Sequence, residues 1–328
     1  TGELARLGAE VALNLREKHF ARIALQRAER AVALPPRDYR DALWLARICQ
    51  AAGETGRAEK LLRDAREQAA HAPDYWIAYL TFLRQTGRRD EALKELESMK
   101  KAITPARRGL TLARCYDALH LYRQAEAVYR EALKQTPEDF IALAYAADFF
   151  RQAGRPDEAI PLYERLLNPE LAAPAETAVQ ARRDLAVLLG QRGEPGRGLA
   201  LLDANQPLRG ETVADQRIRI FLQSSGMARS EDAIDQFQKT LRIQPATPDE
   251  RALLARMHGN ARQPGRARTL LAALTAEYPD NPAYLAEYVN VLISLEKTEE
   301  AERVLKQLDA IEPDSHRVRA ARAALKPG

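Results

Sequence analysis

The chain has 328 residues, of which 46% are hydrophobic and only 6% aromatic, and its 50 basic and 46 acidic residues leave a formal net charge of +4. No apolar run reaches the roughly 18 residues that a membrane-spanning helix needs, and no signal-peptide pattern opens the sequence. So small an excess of positive charge gives no reason to expect a nucleic-acid partner.

Small residues recur along the chain at intervals of 33 to 39 residues. They are Ala24, Ala58, Ala92, Ala125, Ala159, Gly198, Ala233, Ala267 and Ala301. From the second copy onward a large apolar residue follows four positions later, and these residues are Leu62, Leu96, Tyr129, Tyr163, Leu202, Phe237, Leu271 and Leu305. Residues four apart share one face of a helix, so the pattern predicts a helix in each copy.

Glycine and proline mark the boundaries of the helices in each copy. Five residues before the small residue a glycine often stands, where a helix can end in a left-handed residue; these are Gly53, Gly87, Gly154 and Gly193. Twelve residues after it a proline often stops the helix, as at Pro36, Pro137, Pro245, Pro279 and Pro313. Each copy is therefore predicted to be a helix, a tight turn and a second helix, with the small residue where the helices cross. Such a short pair cannot bury its own apolar face, so neighbouring copies are expected to stack.

This pattern resembles the tetratricopeptide repeat (TPR) family, whose repeat is 34 residues long. In the third copy the family's characteristic positions are held by Trp76, Leu80, Leu83, Gly87, Ala92 and Leu96. Leu80 is larger than the small residue usual at its position, and the first copy lacks the glycine. The resemblance implies an all-α fold, an α-solenoid of about nine TPR helix-turn-helix units forming a right-handed superhelix. We expect one elongated domain, although the length alone would suggest about two.

The register divides the chain into two predicted lobes. Units one to five occupy residues 1–168 and units six to nine occupy residues 177–314, with an insertion at 169–176 between them. Pro169 and Pro174 predict that the helical path breaks in this insertion, as a flexible joint, a surface excursion or a plain long loop. Residues 315–328 are predicted to hold one more helix, either a cap or a truncated repeat. The chain opens at Thr1 without methionine, which suggests a processed product or a fragment.

The sequence offers no catalytic or metal-binding constellation. Cys49 and Cys115 lie among apolar neighbours on predicted first helices, and we interpret them as reduced core residues. The five histidines are scattered without a zinc motif, and the glycine-rich segment 190–198 lacks the lysine and hydroxyl residue that close a phosphate loop. We therefore predict a protein that is not an enzyme and uses no cofactor or metal.

Helix geometry predicts which face of each unit is free to bind. Positions 4, 7, 8 and 11 point to the core, whereas positions 2, 5, 9, 12 and 13 point away from it. In the family, the second set resembles the lining of a concave groove that holds a peptide or a partner helix. The partner-binding residues predicted in this way are Arg40, Arg47, Arg84, Arg107, Arg114 and Arg151. The planar fork of arginine suits carboxylates, so the expected partner is an acidic peptide or protein face.

The arginine content of the groove has a second explanation. Only ten of the fifty basic residues are lysine, so arginine is the usual cation of this chain and any solvated face would show it. The charge distribution points towards the N-terminal lobe, because residues 1–168 carry 28 basic and 24 acidic residues while the remainder carries 22 of each.

The resemblance implies a non-catalytic scaffold that binds a protein or peptide in the groove. One alternative is a regulatory or substrate-docking arm of a larger enzyme whose catalytic domain lies outside this chain. Another is a nucleic-acid-binding α-solenoid, although the 34-residue period and the mixed groove charges argue against it. No membrane insertion is expected, the oligomeric state is open, and the sequence fits the cytoplasm, with the periplasm as the alternative.

Overall fold

The computed structural model describes residues 2–14, 18–206, 210, 212–226, 231–243, 246–313 and 315–325. These ranges contain twenty α-helices, one short 3₁₀ helix and no strand, which confirms the predicted all-α class. None of the helices in them combines the length and apolar character that a bilayer crossing requires.

The α-helices are α1 (Gly2–Asn14), α2 (Lys18–Ala31), α3 (Tyr39–Ala51), α4 (Thr55–Asp64), α5 (Arg66–Ala69), α6 (Pro73–Gln85), α7 (Arg89–Ala102), α8 (Pro105–Ala118), α9 (Tyr122–Gln135), α10 (Phe140–Gln152), α11 (Pro156–Leu166), α12 (Ala175–Gln191), α13 (Pro195–Asp203), α14 (Val213–Gly226), α15 (Glu231–Ile243), α16 (Pro248–Asn260), α17 (Pro264–Glu277), α18 (Pro282–Ser294), α19 (Thr298–Ile311) and α20 (His316–Leu325).

The chain forms two compact units, Thr1–Val128 and Tyr129–Gly328, which we call unit 1 and unit 2. The core of unit 1 contains Trp76 and Phe82 of α6, both about 1% exposed. Unit 2 has one apolar cluster around Phe221 of α14 and another that extends to Val318 of α20. The lobes predicted at 1–168 and 177–314 follow the repeat register and stay a prediction.

The repeated small residue is buried wherever the structure describes its side chain. The exposed fraction is 0% for Ala24, Ala58, Ala92, Ala125, Ala159, Ala267 and Ala301. At Gly198 an added Cβ would lie 3.0 Å from the carbonyl oxygen of Ala186, so even a methyl group would force its neighbours to shift. The side chain of Ala233 and the whole of Pro245 lie outside the described residues.

The large residues four positions later are buried as well, with exposed fractions between 0% and 8%. They pack beside the small residue where the two helices cross and fill the space that it leaves. The register predicted from spacing is therefore confirmed at the level of packing.

The turn between the two helices of a pair recurs along the chain. At the first glycine copy, Gly53 has a φ of 83°, and its N–H donates to the carbonyl oxygen of Gln50 at 3.0 Å. The N–H of Glu54 then donates to the carbonyl oxygen of Cys49 at 2.8 Å. This pair of hydrogen bonds ends a helix with a left-handed residue, for which glycine carries no Cβ penalty. The other predicted glycines have φ values of 74°, 68° and 81°, at Gly87, Gly154 and Gly193.

Three further copies make the same turn without glycine. His120, Arg262 and Glu296 each have a φ of 57°, and their N–H groups donate to the carbonyl oxygen three residues earlier. An L-residue in this conformation costs roughly 1–2 kcal/mol relative to the right-handed helix. The packing of the helix pair therefore outweighs the local backbone preference at these copies.

The predicted insertion contains a 3₁₀ helix at Pro169–Leu171. The side chain of Asn168 accepts a hydrogen bond from the N–H of Glu170 at 3.1 Å, and Ala172 has a φ of 47°. Helix α12 then begins at Ala175, directly after Pro174. The role of this segment as a joint stays a prediction.

Ala92→Leu tests the crossing point. Ala92 is fully buried, so the larger leucine side chain would push the two crossing helices apart. We expect the free energy of unfolding, measured by urea denaturation, to fall by roughly 1–3 kcal/mol. The matched control is Leu93→Ala, which truncates a neighbour that is 40% exposed and should change stability little. Equal unfolding midpoints for wild type and Ala92→Leu would contradict the register.

Two glycines at equivalent positions of α12 and α16 provide a second test. A Cβ at Gly190 would lie 2.6 Å from Leu222 and 2.8 Å from Phe221, whereas a Cβ at Gly259 meets nothing within 4 Å. We expect Gly190→Ala to destabilise by about 1–3 kcal/mol through overpacking. Gly259→Ala should stabilise by up to about 1 kcal/mol because alanine is the better helix former. In thermal unfolding, the melting temperature should fall for Gly190→Ala and rise for Gly259→Ala. Shifts of the same sign would contradict the packing of α12 on α14.

Candidate functional site

The six predicted partner-binding arginines all lie on the first helices of their pairs. Unit 1 holds five of them: Arg40 and Arg47 on α3, Arg84 on α6, and Arg107 and Arg114 on α8. None of the five is part of the hydrophobic core. The side chains of Arg40, Arg47 and Arg107 are exposed, and those of Arg84 and Arg114 are half-buried. We call the surface that these five residues define the first-helix face of unit 1.

Polar contacts connect the first helices α1, α3 and α6 of unit 1. The guanidinium of Arg47 donates to the carboxylate of Glu10 on α1. The amide of Gln50 on α3 donates to the side-chain oxygen of Gln85 on α6 at 2.7 Å. These contacts join residues 35 and 37 positions apart, which is about one repeat. Successive first helices therefore lie side by side.

Two of the predicted arginines connect α6 to α8. Arg84 Nε donates to the carbonyl oxygen of Ala118 at 2.8 Å, close to the end of α8. In the opposite direction, Arg114 Nη2 donates to Asp74 Oδ1 at 3.2 Å. Both side chains therefore serve the contact between neighbouring repeats, a role that the sequence pattern did not predict.

The remaining two arginines of the first-helix face are exposed and carry no ion pair in the described part of the chain. The guanidinium carbon of Arg40 lies 5.2 Å from the ring centroid of Tyr39. Arg107 follows Pro105 in the first turn of α8, and its N–H donates to the carbonyl oxygen of Thr104 at 3.0 Å. These two guanidinium groups therefore place positive charge on the face without an ion pair among the described residues.

Arg151 belongs to unit 2 and has a different environment. It donates to Asp148 on its own helix and lies 3.8 Å from Asp184 of α12. Burial alone would lower the pKa of Arg151, but the two negative charges outweigh burial and raise it. Burial also raises the pKa of Asp184, against the effect of Arg151. This arginine is held by carboxylates of its own unit.

Unit 2 contains further arginine–carboxylate pairs between neighbouring first helices. Arg183 Nε lies 2.7 Å from Asp215 Oδ1, with side chains that are only 14% and 4% exposed. Burial alone would raise the pKa of Asp215, but hydrogen bonds from Arg183 and Thr212 lower it to about 2. Arg217 pairs with Glu250 in the same way, 33 residues apart. The sequence signal for these pairs is an arginine followed by a carboxylate about one repeat later. The sequence analysis considered only which helix face a residue lies on, so it missed this spacing.

The two cysteines are free and buried, as predicted. Burial raises the pKa of Cys49 to about 11 and that of Cys115 to about 12, so neither forms a thiolate near neutral pH. Among the residues described, no group of three or more His, Cys, Asp or Glu side chains is arranged to hold a metal ion.

Comparison with known proteins connects this architecture to a family. Two family models, each described as "Tetratricopeptide repeat", match residues 110–176 and 260–325. Cellulose synthase operon protein C of Pseudomonas fluorescens (strain SBW25) is 25% identical over 239 residues, which is 72% of this chain but only 16% of that protein.

Two solved structures also align with most of the chain. A tetratricopeptide repeat protein from Parabacteroides merdae ATCC 43184 aligns over 88% of this chain and 98% of its own, with 14% identity and a TM-score of 0.46. A human IFIT1 dimer with PPP-AAAA aligns over 85% of this chain and 70% of its own, with 14% identity and a TM-score of 0.48.

The matched segments 110–176 and 260–325 both contain the packing and turn features of the repeat. They include the buried small residues Ala125 and Ala301 and the left-handed turn residues His120 and Glu296. These two segments therefore match the tetratricopeptide repeat family in both sequence and packing.

Proposed function

We propose that this chain is a protein-interaction scaffold whose first-helix face in unit 1 binds an acidic peptide or an acidic face of a partner protein. Tetratricopeptide repeats generally serve protein–protein interaction. The observation that carries the proposal is the exposure of Arg40 and Arg107 without a carboxylate partner among the described residues. Positive charge that is not neutralised within the protein is free to attract an anionic partner.

The paired arginines support the same proposal in another way. Arg47, Arg84 and Arg114 are held in place by contacts to neighbouring helices, which reduces the conformational entropy that binding would cost. We propose that these three orient a ligand carboxylate and that the two exposed arginines add the attraction.

A second candidate role comes from the much longer relative. The 239 aligned residues cover 16% of cellulose synthase operon protein C, so the similarity would suit an interaction segment of a larger protein. A regulatory or substrate-docking arm of an enzyme is one form of this proposal. The two roles are compatible, because a docking segment also works by binding a partner.

The proposal predicts that the chain binds hexaglutamate and that binding weakens as salt is added. We expect Arg40→Gln with Arg107→Gln to raise the dissociation constant about threefold to tenfold, since exposed ion pairs contribute about 0.2–1 kcal/mol each. Isothermal titration calorimetry at two ionic strengths measures both effects. Circular dichroism should show unchanged helix content.

The matched control removes the same charge from the second helices of unit 1. Arg30 on α2 and Arg89 on α7 are exposed, and Arg30→Gln with Arg89→Gln lowers the net charge equally. We expect this control to bind hexaglutamate nearly as the wild type does. Equal weakening by both double variants would mean that net charge alone attracts the probe, and a lack of binding in the wild type would contradict an acidic partner.

A further inference from the structure

Two elements of unit 2 that are distant in sequence lie next to each other. At the turn after α10, a Cβ added to Gly154 would lie 3.5 Å from Nε and 3.8 Å from Cγ of Arg317, which belongs to α20. The other turn glycines, Gly53, Gly87 and Gly193, have nothing within 4 Å of an added Cβ. In a stack of repeats each copy is expected to contact only its neighbours. The contact between α20 and the turn after α10 is therefore an addition to the stacking.

The side chain of Arg317 is held in one orientation beside this turn. Its Nη1 donates to both carboxylate oxygens of Glu312, at 3.3 and 3.2 Å, and the two side chains are 9% and 2% exposed. The hydroxyl of Ser315 donates to the same carboxylate at 2.9 Å. Charge-assisted hydrogen bonds of this kind fix the guanidinium group. The stem of Arg317 and its Nε are thereby left to face Gly154.

Arg317 has the same place in its copy as Arg40 has on the first-helix face of unit 1. Each follows the repeated small residue of the preceding copy, Ala301 or Ala24, by sixteen positions. Arg40 is exposed, whereas the side chain of Arg317 is covered. A position that points away from the core is thus used for a contact within the chain at α20.

The charge of Arg317 also reaches the neighbouring first helix α18. Burial raises the pKa of Glu287 on α18, while the charges of Arg256 and Arg317 lower it. Arg317 therefore lies within electrostatic reach of α18 on one side and beside the turn after α10 on the other. It connects the helix that precedes it in the stack with one that the stacking alone does not bring to α20.

Little apolar surface holds α20 on its neighbours. Two of its residues are buried, Val318 and Ala321, whereas six residues of α18 are buried. The burial of apolar side chains is the main favourable contribution to packing, and elements with few such contacts open locally at a lower free energy than the rest of a protein. The contacts of Arg317 therefore form a large part of what keeps α20 in place.

We propose that α20 is a releasable latch, which holds unit 2 closed through the contact of Arg317 with the turn at Gly154. In the latched state α20 rests against the turn after α10, and Arg317 is covered. Release of α20 separates the two and exposes Arg317 at the place that corresponds to Arg40 of unit 1. The latch does not depend on the proposed acidic partner, because both of its sides belong to this chain.

Native-state hydrogen exchange of the full chain measures how often α20 opens. We expect the amides of residues 318–325 to share one opening free energy, because the helix leaves as a unit. It should be lower than the opening free energy of α18. Exchange of α20 only together with α18 would show that α20 is a fixed part of the stack, which would overturn the proposal.

Charged substitutions at Gly154 test the contact itself. Gly154→Asp places a carboxylate beside Nε of Arg317 and should slow the exchange of α20. Gly154→Lys places a like charge there and should speed it. We expect a change of about twofold to fivefold in each direction, the range that ion pairs near a protein surface usually contribute. Because both variants carry the same backbone strain, the difference between them reports the charge alone.

Gly87 provides the matched control, since it has a φ of 74° against 68° at Gly154 and has nothing within 4 Å of an added Cβ. Gly87→Asp and Gly87→Lys should leave the exchange of α20 unchanged. Adding Arg317→Ala to both Gly154 variants should remove the difference between them. Equal exchange of α20 in Gly154→Asp and Gly154→Lys, or an equal effect of the Gly87 pair, would overturn the latch.

Discussion

A pair of helices as short as these cannot bury its own apolar face, so each pair depends on its neighbours. The constraint is most visible where the helices cross, because the seven described alanines at that position are all 0% exposed. Close approach at these points lets the larger residue four positions later, such as Leu62 or Leu96, complete the core. The same approach is strong enough to hold His120, Arg262 and Glu296 in a left-handed turn that would otherwise favour glycine.

Arginine has two roles in this arrangement. Several arginines donate to a carboxylate or carbonyl group about one repeat away, as Arg114 does to Asp74 and Arg183 to Asp215. These contacts fix neighbouring first helices side by side, and the planar fork of arginine suits them better than lysine would. In the arginine–carboxylate pairs, the positive charge of the arginine is neutralised within the protein. Residues outside these pairs, such as Arg40, bring positive charge to the surface for the partner that we propose.

Spacing predicted the helices, the crossing points and the turns, because helical period and glycine conformation are local properties of a sequence. It also predicted that Arg47 and Arg107 stand outside the core. It did not predict their partners, because the pairing of Arg47 with Glu10 depends on how one repeat rests on the next. For the same reason it did not predict that Gly190 and Gly259, which have the same place in their repeats, have different neighbours.

The dependence of each repeat on its neighbours is tested most directly by a double-mutant cycle between Arg183 on α12 and Asp215 on α14. Urea unfolding of Arg183→Ala, Asp215→Ala and the double variant gives the coupling free energy between neighbouring repeats. We expect about 1.5–3 kcal/mol at neutral pH, because the pair is charged, mostly buried and doubly hydrogen-bonded. A coupling near zero would contradict this expectation, because the arginine pairs would then be incidental to how the repeats stack.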